Sequence, residues 1–366
     1  MFESQTVFVV GAGASKEADL PIGNELTSEI ARLLNIFVDS DFNAKNGDDQ
    51  ILWRIRQLVN QQPNAWINNR LIASGREVAT AMALAPSIDT FLQTHRNNAE
   101  YVLLGKMGIA KAIILAEKHS KLARTHDRSQ PFEISSIANT WYISLAQQLF
   151  SGVPAEHPEL AFQNVSFIVF NYDRCLEVFL TRAVELFFLV SNERARAIVA
   201  AVDIVHPYGD LGEMDDSDQS LPMFGDDQCD LYVVSQRLQT FSESLLDPAK
   251  SAKIKELICR TETLIFLGFA FYDQNMELLG ENVPKAEKRS NIKRVYATTF
   301  GMSASDVQVA RSQIGHLLRG RPPKERDDYS IQTFSGTCNS LFAEYWKSLT
   351  APVAVQSALH NISNLG

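Results

Sequence analysis

The sequence has few cysteines, and none of them forms a CxxC pair. Cys175, Cys229, Cys259 and Cys338 lie far apart in the 366-residue chain. Such spacing suggests neither a disulfide framework nor a four-thiolate zinc site. We therefore expect reduced cysteines, mostly as small core residues, and no bound metal.

The chain also has no long apolar run and no excess of basic charge. No stretch approaches the roughly 18 consecutive apolar residues of a membrane span, and a strand predicted directly after Glu3 leaves no room for a signal peptide. The formal net charge of −9 argues against binding nucleic acid through the overall field of the protein. With 45% hydrophobic and 21% charged residues, the composition is typical of a soluble globular protein. We expect a cytoplasmic protein with no membrane segment and no direct nucleic-acid partner.

Short apolar runs predict the strands of a parallel sheet. They are rich in Val, Ile and Phe and occupy residues 7–10, 165–170, 204–205, 264–267 and 295–297. Runs this short and apolar on both faces fit strands that are covered by helices on both sides. Ligands bind such sheets at the carboxyl ends of the strands, so the residues that follow each run are the candidates for function.

The segment between the first two runs is predicted to be helical. Residues 24–37 and 98–119 carry apolar side chains at helical spacing. The segment is too long to be a single crossover helix. We expect a helical subdomain inserted over about residues 35–160.

The stretch VFVVGAGASKEADLPIG places a glycine turn directly after the first strand. Gly11 and Gly13 would let the backbone approach a pyrophosphate closely. The dinucleotide fingerprint G-x-G-x-x-G requires a third glycine at position 16, where this chain has Lys16. A tight turn without a ligand is therefore an equal alternative, although Pro21 and Gly23 predict a second rigid turn that would form the rim of a pocket.

Polar residues follow the second and third strands. Asn171 and Asp173 come directly after residues 165–170 and would reach sugar hydroxyls or orient a water, while capping of the next helix is an alternative for both. His206 lies between an apolar run and a glycine-containing turn, which makes it the best candidate for a general base. A structural histidine is the alternative.

The last two predicted strands also end in residues suited to a nucleotide. Gly268 permits a close approach, Asp273 and Asn275 would contact a ribose or cap the next helix, and the hydroxyls of Thr298 and Thr299 would meet an adenosine. The sequence positions predicted to bind a nucleotide are therefore Gly11, Ala12, Gly13, Ala14, Ser15, Pro21, Gly23, Gly268, Phe269, Asp273, Asn275, Thr298 and Thr299.

Taken in order, these motifs resemble the sirtuin-like family. Gly-Ala-Gly-Ala-Ser is followed by Leu-Pro-x-Gly, Phe-Asn-Tyr-Asp, a histidine near a glycine, and Leu-Gly-Phe-x-x-x-Asp-x-Asn. More narrowly, the chain is similar to the bacterial sirtuin-like NAD-cleaving domains of antiphage defence systems, including the stretch SIDTFL at residues 87–92. The resemblance covers about residues 5–320.

The resemblance implies an α/β fold, with a Rossmann-like parallel sheet flanked by helices and an inserted helical subdomain. Residues 1–340 would form a single NAD-binding domain, and residues 341–366 a C-terminal helix or tail. It further implies that residues 11–15 cradle the NAD⁺ pyrophosphate and that Asn171 and His206, supported by Asp173, cleave the glycosidic bond.

The chain departs from the family at one place. The family usually has histidine immediately before glycine, whereas Tyr208 precedes Gly209 here and His206 lies two residues earlier. In an extended segment, positions 206 and 208 face the same side. On that basis we expect His206 to reach the same site.

Three activities are compatible with these residues. The resemblance favours an NAD⁺ hydrolase that uses NAD⁺ as its substrate and is gated by oligomerisation or by a separate partner, such as a HerA-type ATPase, an Argonaute or another sensor. A sensor that binds NAD⁺ or ADP-ribose without cleaving it is the alternative. A protein deacylase is less favoured, because the zinc module of those enzymes needs two CxxC pairs.

Overall fold

The protein has an α/β architecture in which helices flank a six-stranded parallel sheet. The computed structural model describes residues 1–39, 43–60, 66–123, 133–212, 220–280, 291–319 and 330–352. The part of the predicted C-terminal tail from residue 353 onward lies outside these residues. Residues 338–350 form a helix that packs on the rest of the fold.

The strands are β1 (Thr6–Val10), β2 (Phe37–Val38), β3 (Ala44–Asn46), β4 (Val165–Val169), β5 (Ile204–Val205), β6 (Thr263–Leu267), β7 (Arg294–Thr298) and β8 (Ser330–Phe334). The helices are α1 (Ala12–Ser15), α2 (Gly23–Leu34), α3 (Asp49–Asn60), α4 (Trp66–Ala81), α5 (Ile88–Thr94), α6 (Ala99–His119), α7 (Trp141–Phe150), α8 (Cys175–Phe188), α9 (Asn192–Ala200), α10 (Leu231–Arg237), α11 (Phe241–Leu245), α12 (Pro248–Arg260), α13 (Asp273–Gly280), α14 (Ala304–Arg319) and α15 (Cys338–Thr350).

The strand order of the large sheet is β5-β4-β1-β6-β7-β8. Every pair in it is parallel, while β2 and β3 form a separate antiparallel pair. Counting only the six strands of the large sheet, their order is 3-2-1-4-5-6, which is the order of doubly wound dinucleotide-binding folds. The predicted Rossmann-like fold class is therefore confirmed.

Alternate residues of the central strands enter two separate cores. On one face, Val7 and Val9 of β1 pack with α2 to α6 and α10 to α14. On the other face, Phe8 and Val10 pack with α7, α8, α9 and α15. Both faces of β1 are buried, as its continuous apolar run predicts.

The helices of residues 35–160 divide between these two faces. Helix α6 packs against α2, α4 and α10 on the first face, whereas α7 packs against α8 and α15 on the second. Helix α6 begins where Asn98 accepts hydrogen bonds from the amides of Glu100 and Tyr101, which satisfies two free donors of its first turn.

The five predicted strands are present, and β8, β2 and β3 are additional. Strand β8 pairs only with β7 at the edge of the sheet and is only partly buried. Its sequence, SIQTF, has no apolar run, because an edge strand with solvent on one side does not need to be apolar throughout. Nothing in the apolar pattern therefore predicted it.

Candidate functional site

The carboxyl ends of β4, β1 and β6 lie level with one another. The register pairs Val10 of β1 with Val169 of β4 and with Leu267 of β6. The strand order reverses between β1 and β6, and a crevice at such a reversal is where doubly wound folds bind their ligands. The loops that follow these three strands begin at this edge and form the candidate site.

The glycine turn after β1 interlocks with the loop after β6. The Gly13 amide donates to the Gly268 carbonyl oxygen at 2.9 Å. A Cβ atom on Gly11 would lie 2.6 Å from that same oxygen, and one on Gly13 would lie 2.9 Å from the Gly268 Cα. Gly268 itself has a φ of +57°, which side-chain-bearing residues rarely adopt. The close approach of the two loops therefore requires all three glycines, whether or not a nucleotide binds.

The short helix α1 continues the glycine turn. The indole Nε1 of Trp141 donates to the carbonyl oxygen of Ala14 at 2.9 Å and so fixes the end of α1. Ala14 and Ser15 are buried, whereas Ala12 is half-buried. Lys16, at the position of the missing third glycine, is exposed and pairs with Glu25 at 2.7 Å.

Pro21 and Gly23 form the predicted second turn at the start of α2. Both are half-buried. A Cβ atom on Gly23 would meet nothing within 4 Å, and its φ is outside the left-handed region. Neither packing nor backbone geometry requires glycine here, and the open space leaves room for a ligand.

Asn171 joins the loop after β4 to the glycine turn. Its Nδ2 donates to the carbonyl oxygen of Gly11 at 3.1 Å and to Ser15 Oγ at 2.8 Å. The side chain is buried, and both amide hydrogens are used by these two contacts. Within the described part of the chain no hydrogen bond occupies its Oδ1, which stays available to a ligand. The two motifs, 160 residues apart in sequence, are in direct contact.

Asp173 lies directly beside this contact. Its Oδ1 accepts a hydrogen bond from the amide of Cys175 at 3.1 Å, and the nearby Ser15 hydroxyl also favours the charged carboxylate. Burial raises the pKa of the Asp173 carboxyl above its usual value, although these donors oppose the rise. The contact with Cys175 supports the capping alternative for Asp173, and the contact with Ser15 connects it to the glycine turn.

His206 is buried, and both of its ring nitrogens have partners. Nδ1 lies 3.0 Å from the main-chain carbonyl oxygen of Asn171, and Nε2 lies 2.6 Å from Glu177 Oε1 on α8. Burial alone would lower the pKa of His206, but the Glu177 carboxylate, together with Asp210 and the Asn171 carbonyl, raises the pKa to about 9. Both ring nitrogens therefore face an acceptor, and a doubly protonated imidazolium would donate to each of them.

The expectation that His206 and Tyr208 face the same side is wrong. The segment is not extended, because the Gly209 amide donates to the His206 carbonyl oxygen at 3.1 Å and closes a turn. His206 points to α8, whereas Tyr208 packs in the opposite core and donates its hydroxyl to Asn275 Oδ1 at 2.7 Å. Pro207 at the second position and glycine at the fourth are typical of a type I turn, so the sequence carried a signal for this geometry.

A second polar cluster lies on the side of the helical insert. The Tyr172 hydroxyl donates to Asp89 Oδ1 of α5. The rings of Tyr172 and Tyr208 lie 6.0 Å apart, which brings Asn275 to the same cluster. The stretch at residues 87–92 therefore meets the loop after β4, and Asp89 is its contact residue.

The remaining predicted residues divide between the protein core and the surface. Phe269 packs its ring against Phe170 and Phe266, so only its main chain faces the edge of the sheet. Thr298 Oγ1 accepts a hydrogen bond from the Gly268 amide at 2.7 Å, and Thr299 is buried. Asp273 is exposed and accepts a hydrogen bond from Gln313 at 2.7 Å.

A buried ion pair connects helix α6 of the inserted segment to the loop after β4. Arg174 Nη2 lies 2.5 Å from Glu117 Oε2 near the end of α6, and the Arg174 amide donates to Glu117 Oε1 at 2.9 Å. Arg174 also donates to the carbonyl oxygen of Pro222 at 2.7 Å. One side chain therefore joins α6, the Asn171 loop and the segment that follows residue 220.

Sequence reasoning missed Glu177, Asp89 and Phe271. Glu177 is in the first turn of α8, where acidic residues are common for electrostatic reasons alone, so its partnership with His206 has no local signal. Asp89 was part of a recognised stretch but had no predicted partner. Phe271 has a φ of +55°, a strained conformation for a bulky residue that occurs most often at functional sites.

Among the described residues, no group of three or more His, Cys, Asp or Glu side chains is placed to hold a metal ion. No helix in the same part of the chain has the length and apolar character needed to cross a membrane.

Neither protein families nor curated proteins supply a relative. No protein-family model matches the chain, and no curated protein matches it significantly. The geometry of the site and the motif resemblance are therefore what bears on the function.

Proposed function

We propose that the protein is a sirtuin-like NAD⁺ glycohydrolase that cleaves NAD⁺ into nicotinamide and ADP-ribose. The observation that carries this proposal is the contact of Asn171 with Gly11 and Ser15. It brings the amide of the Phe-Asn-Tyr-Asp motif to the glycine turn at the strand reversal, where a dinucleotide is expected to bind.

The reaction makes few demands on the protein. The bond from C1′ of the ribose to the nicotinamide nitrogen breaks, a water oxygen bonds to C1′, and that water gives up one proton to solvent. Because nicotinamide is a good leaving group and the transition state resembles an oxocarbenium ion, orientation and electrostatics supply most of the catalysis. In this proposal residues 11–15 hold the pyrophosphate, and Asn171 Oδ1 accepts a hydrogen bond from a ribose hydroxyl. Asp173 supports both through Ser15.

The other predicted nucleotide residues take more limited roles. Gly23 leaves open space beside the turn, and Asn275 is tied to Tyr208 at the end of β6. Asp273 and Thr299 would contact the adenosine half of NAD⁺.

The biological role is proposed from the resemblance. An unrestrained NAD⁺ hydrolase would deplete its own cell, so we propose a cytoplasmic effector of an antiphage system that acts by abortive infection. Its activity would be gated by homo-oligomerisation or by a partner such as a HerA-type ATPase, an Argonaute or another sensor. Support for an interface comes from the end of α8, where Leu186, Phe187 and Leu189 are exposed, since a cluster of exposed apolar side chains is typical of interaction surfaces.

One observation favours a second candidate, a sensor that binds NAD⁺ or ADP-ribose without cleaving it. Both nitrogens of His206 are engaged, so the site has no free imidazole base. A sensor does not need one. No comparable observation favours a deacylase.

The two candidates are separated by incubating the pure protein with NAD⁺ and measuring nicotinamide release. The hydrolase releases nicotinamide, and Asn171→Ala abolishes the release, whereas Asn192→Ala on α9, whose side chain pairs with Glu185, does not. A sensor binds NAD⁺ and leaves it intact. Release that is unchanged by Asn171→Ala would reject the proposed site.

A further inference from the structure

The contacts of His206 decide which role it can take in the proposed reaction. Its Nδ1 faces the main-chain carbonyl of Asn171 at 3.0 Å, and its Nε2 faces Glu177 Oε1 at 2.6 Å. A carbonyl and a carboxylate both only accept hydrogen bonds. The ring satisfies both of them only when each nitrogen carries a proton.

The charges around the ring favour that protonated state. Glu177 faces it from α8 and Asp210 from the loop after β5, and both raise the pKa of His206, which reaches about 9 against the opposing effect of burial. His206 in turn lowers the pKa of Asp210 against burial. Arg237 pairs with Asp210 at 3.2 Å, and Asp173 lies beside Glu177. Of these, Glu177 is the carboxylate in direct contact with the ring.

We propose that His206 and Glu177 act as a positioning pair, in which the doubly protonated ring holds the Asn171 main chain and does not accept a proton from the reactants. The pair fixes the residue whose side chain donates to Gly11 and Ser15. Loss of one ring proton would leave a nitrogen lone pair against either the carbonyl or the carboxylate, and the loop after β4 would shift. This inference rests on the proposed NAD⁺ cleavage.

The chemistry of the proposed reaction is compatible with a site that has no base. A water that adds to an oxocarbenium-like carbon becomes strongly acidic as the bond forms, so it loses its proton to solvent without a dedicated acceptor. The role that remains for the pair of imidazolium and carboxylate is geometric.

The sign of the pH dependence separates positioning from base catalysis. As a positioning group, protonated His206 gives kcat/KM that falls as pH rises through about 9. As a base, the same residue would give kcat/KM that rises through its pKa. Glu177→Gln keeps an acceptor but removes the charge, so it should move the falling limb to lower pH by about 1–3 units, the effect of one opposite charge in contact.

Matched variants guard against a general loss of folding. Glu185→Gln makes the same change on the same helix at a residue that pairs with Asn192 and should leave the pH profile unchanged. His206→Gln offers an amide donor and cannot titrate. It should retain part of the activity, and its kcat/KM should no longer show the falling limb on the alkaline side, near pH 9. An alkaline limb that persists unchanged in His206→Gln would overturn the proposal.

A readout without catalysis tests the same inference if the protein cleaves no NAD⁺. Nitrogen-15 NMR of the His206 ring should show both nitrogens protonated at pH 7.5 in the wild type. The midpoint of the ring's titration should be lower in Glu177→Gln. The Kd for NAD⁺ should rise as the ring loses its proton. If the protein cleaves no NAD⁺ but shows these changes, the hydrolase is rejected and the positioning pair is retained. A ring that is neutral at pH 7.5, or kcat/KM that rises through the ring's titration, overturns the positioning pair.

Discussion

The side-chain amide nitrogen of Asn171 lies 3.1 Å from the main-chain carbonyl oxygen of Gly11. The contact joins the ends of two neighbouring parallel strands. This hydrogen bond orients the side chain so that its oxygen is left for a ligand at the strand reversal.

The glycines of the site should separate into those that the fold requires and one that a ligand requires. Gly13→Ala would place a Cβ 2.9 Å from the Gly268 Cα, and we expect it to destabilise the protein by about 1–3 kcal/mol, the usual cost of overpacking. Gly23→Ala meets nothing within 4 Å and should leave stability unchanged or raise it by up to about 1 kcal/mol. Urea unfolding measures both.

Gly23→Ala should nevertheless weaken NAD⁺ binding, because its methyl group would occupy the open space beside the turn. A loss of about 1.4 kcal/mol corresponds to a tenfold higher Kd, which isothermal titration calorimetry resolves. If Gly23→Ala bound NAD⁺ as tightly as the wild type, Gly23 would not line the ligand site.

The ion pair of Glu117 and Arg174 should be essential for stability. Both side chains are almost fully buried, with 1% and 3% exposed, so Glu117→Gln leaves a buried guanidinium without its counter-charge and should cost about 3–5 kcal/mol. Glu29→Gln removes one partner of the exposed pair with Arg32 and should cost under about 1 kcal/mol. Equal losses in the two variants, measured by urea unfolding, would contradict this assignment.

The hydroxyl of Tyr172 should stabilise the junction between the inserted helices and the loop after β4. Tyr172→Phe removes the donor to Asp89 and is expected to cost about 1.5–3 kcal/mol, as for hydrogen bonds to charged groups. Tyr101→Phe removes a similar bond to Glu77 at the surface and should cost clearly less. A double-mutant cycle with Asp89→Ala measures the coupling, and a coupling near zero would show that the contact adds nothing.

Stability should decrease on the alkaline side because of His206. Its pKa is raised from 6.5 to about 9 in the folded protein, so its contribution is fully present below about pH 6.5 and is lost as pH rises through about 9. The contribution amounts to at most about 3 kcal/mol at 1.36 kcal/mol per pKa unit. Urea unfolding at several pH values should show this decrease in the wild type and a smaller one in His206→Gln. Parallel curves would assign the decrease to other groups.

The fold could be predicted from the sequence because its central strands are buried on both faces. The apolar run at β1 is required by two cores, and the same holds for β4 and β6. Strand β8 escaped prediction because it is half-buried at an edge. The site was predicted in part for a related reason, since parallel strands deliver their following residues to one edge, and Asn171 and Gly11 do meet there.

The partners within the site were not predictable in the same way. Glu177 of α8 meets His206 in the loop after β5, a relation that no sequence spacing encodes. Asp89 reaches Tyr172 across 83 residues for the same reason. The segment at His206 forms a turn and not the expected extended conformation, because the short strand β5 ends at Val205 and Pro207 and Gly209 favour a turn.

The proposed function requires that NAD⁺ is broken at Asn171 beside the glycine turn. Its most direct test follows NAD⁺ by proton NMR in the presence of wild-type protein and of Asn171→Ala, each alone and with a candidate partner. We predict equal amounts of nicotinamide and ADP-ribose from the wild type, and a rate at least about 100-fold lower in Asn171→Ala, the usual cost of losing one organising polar group. NAD⁺ that stays intact with the wild type under all of these conditions, or cleavage that proceeds undiminished in Asn171→Ala, would contradict the claim.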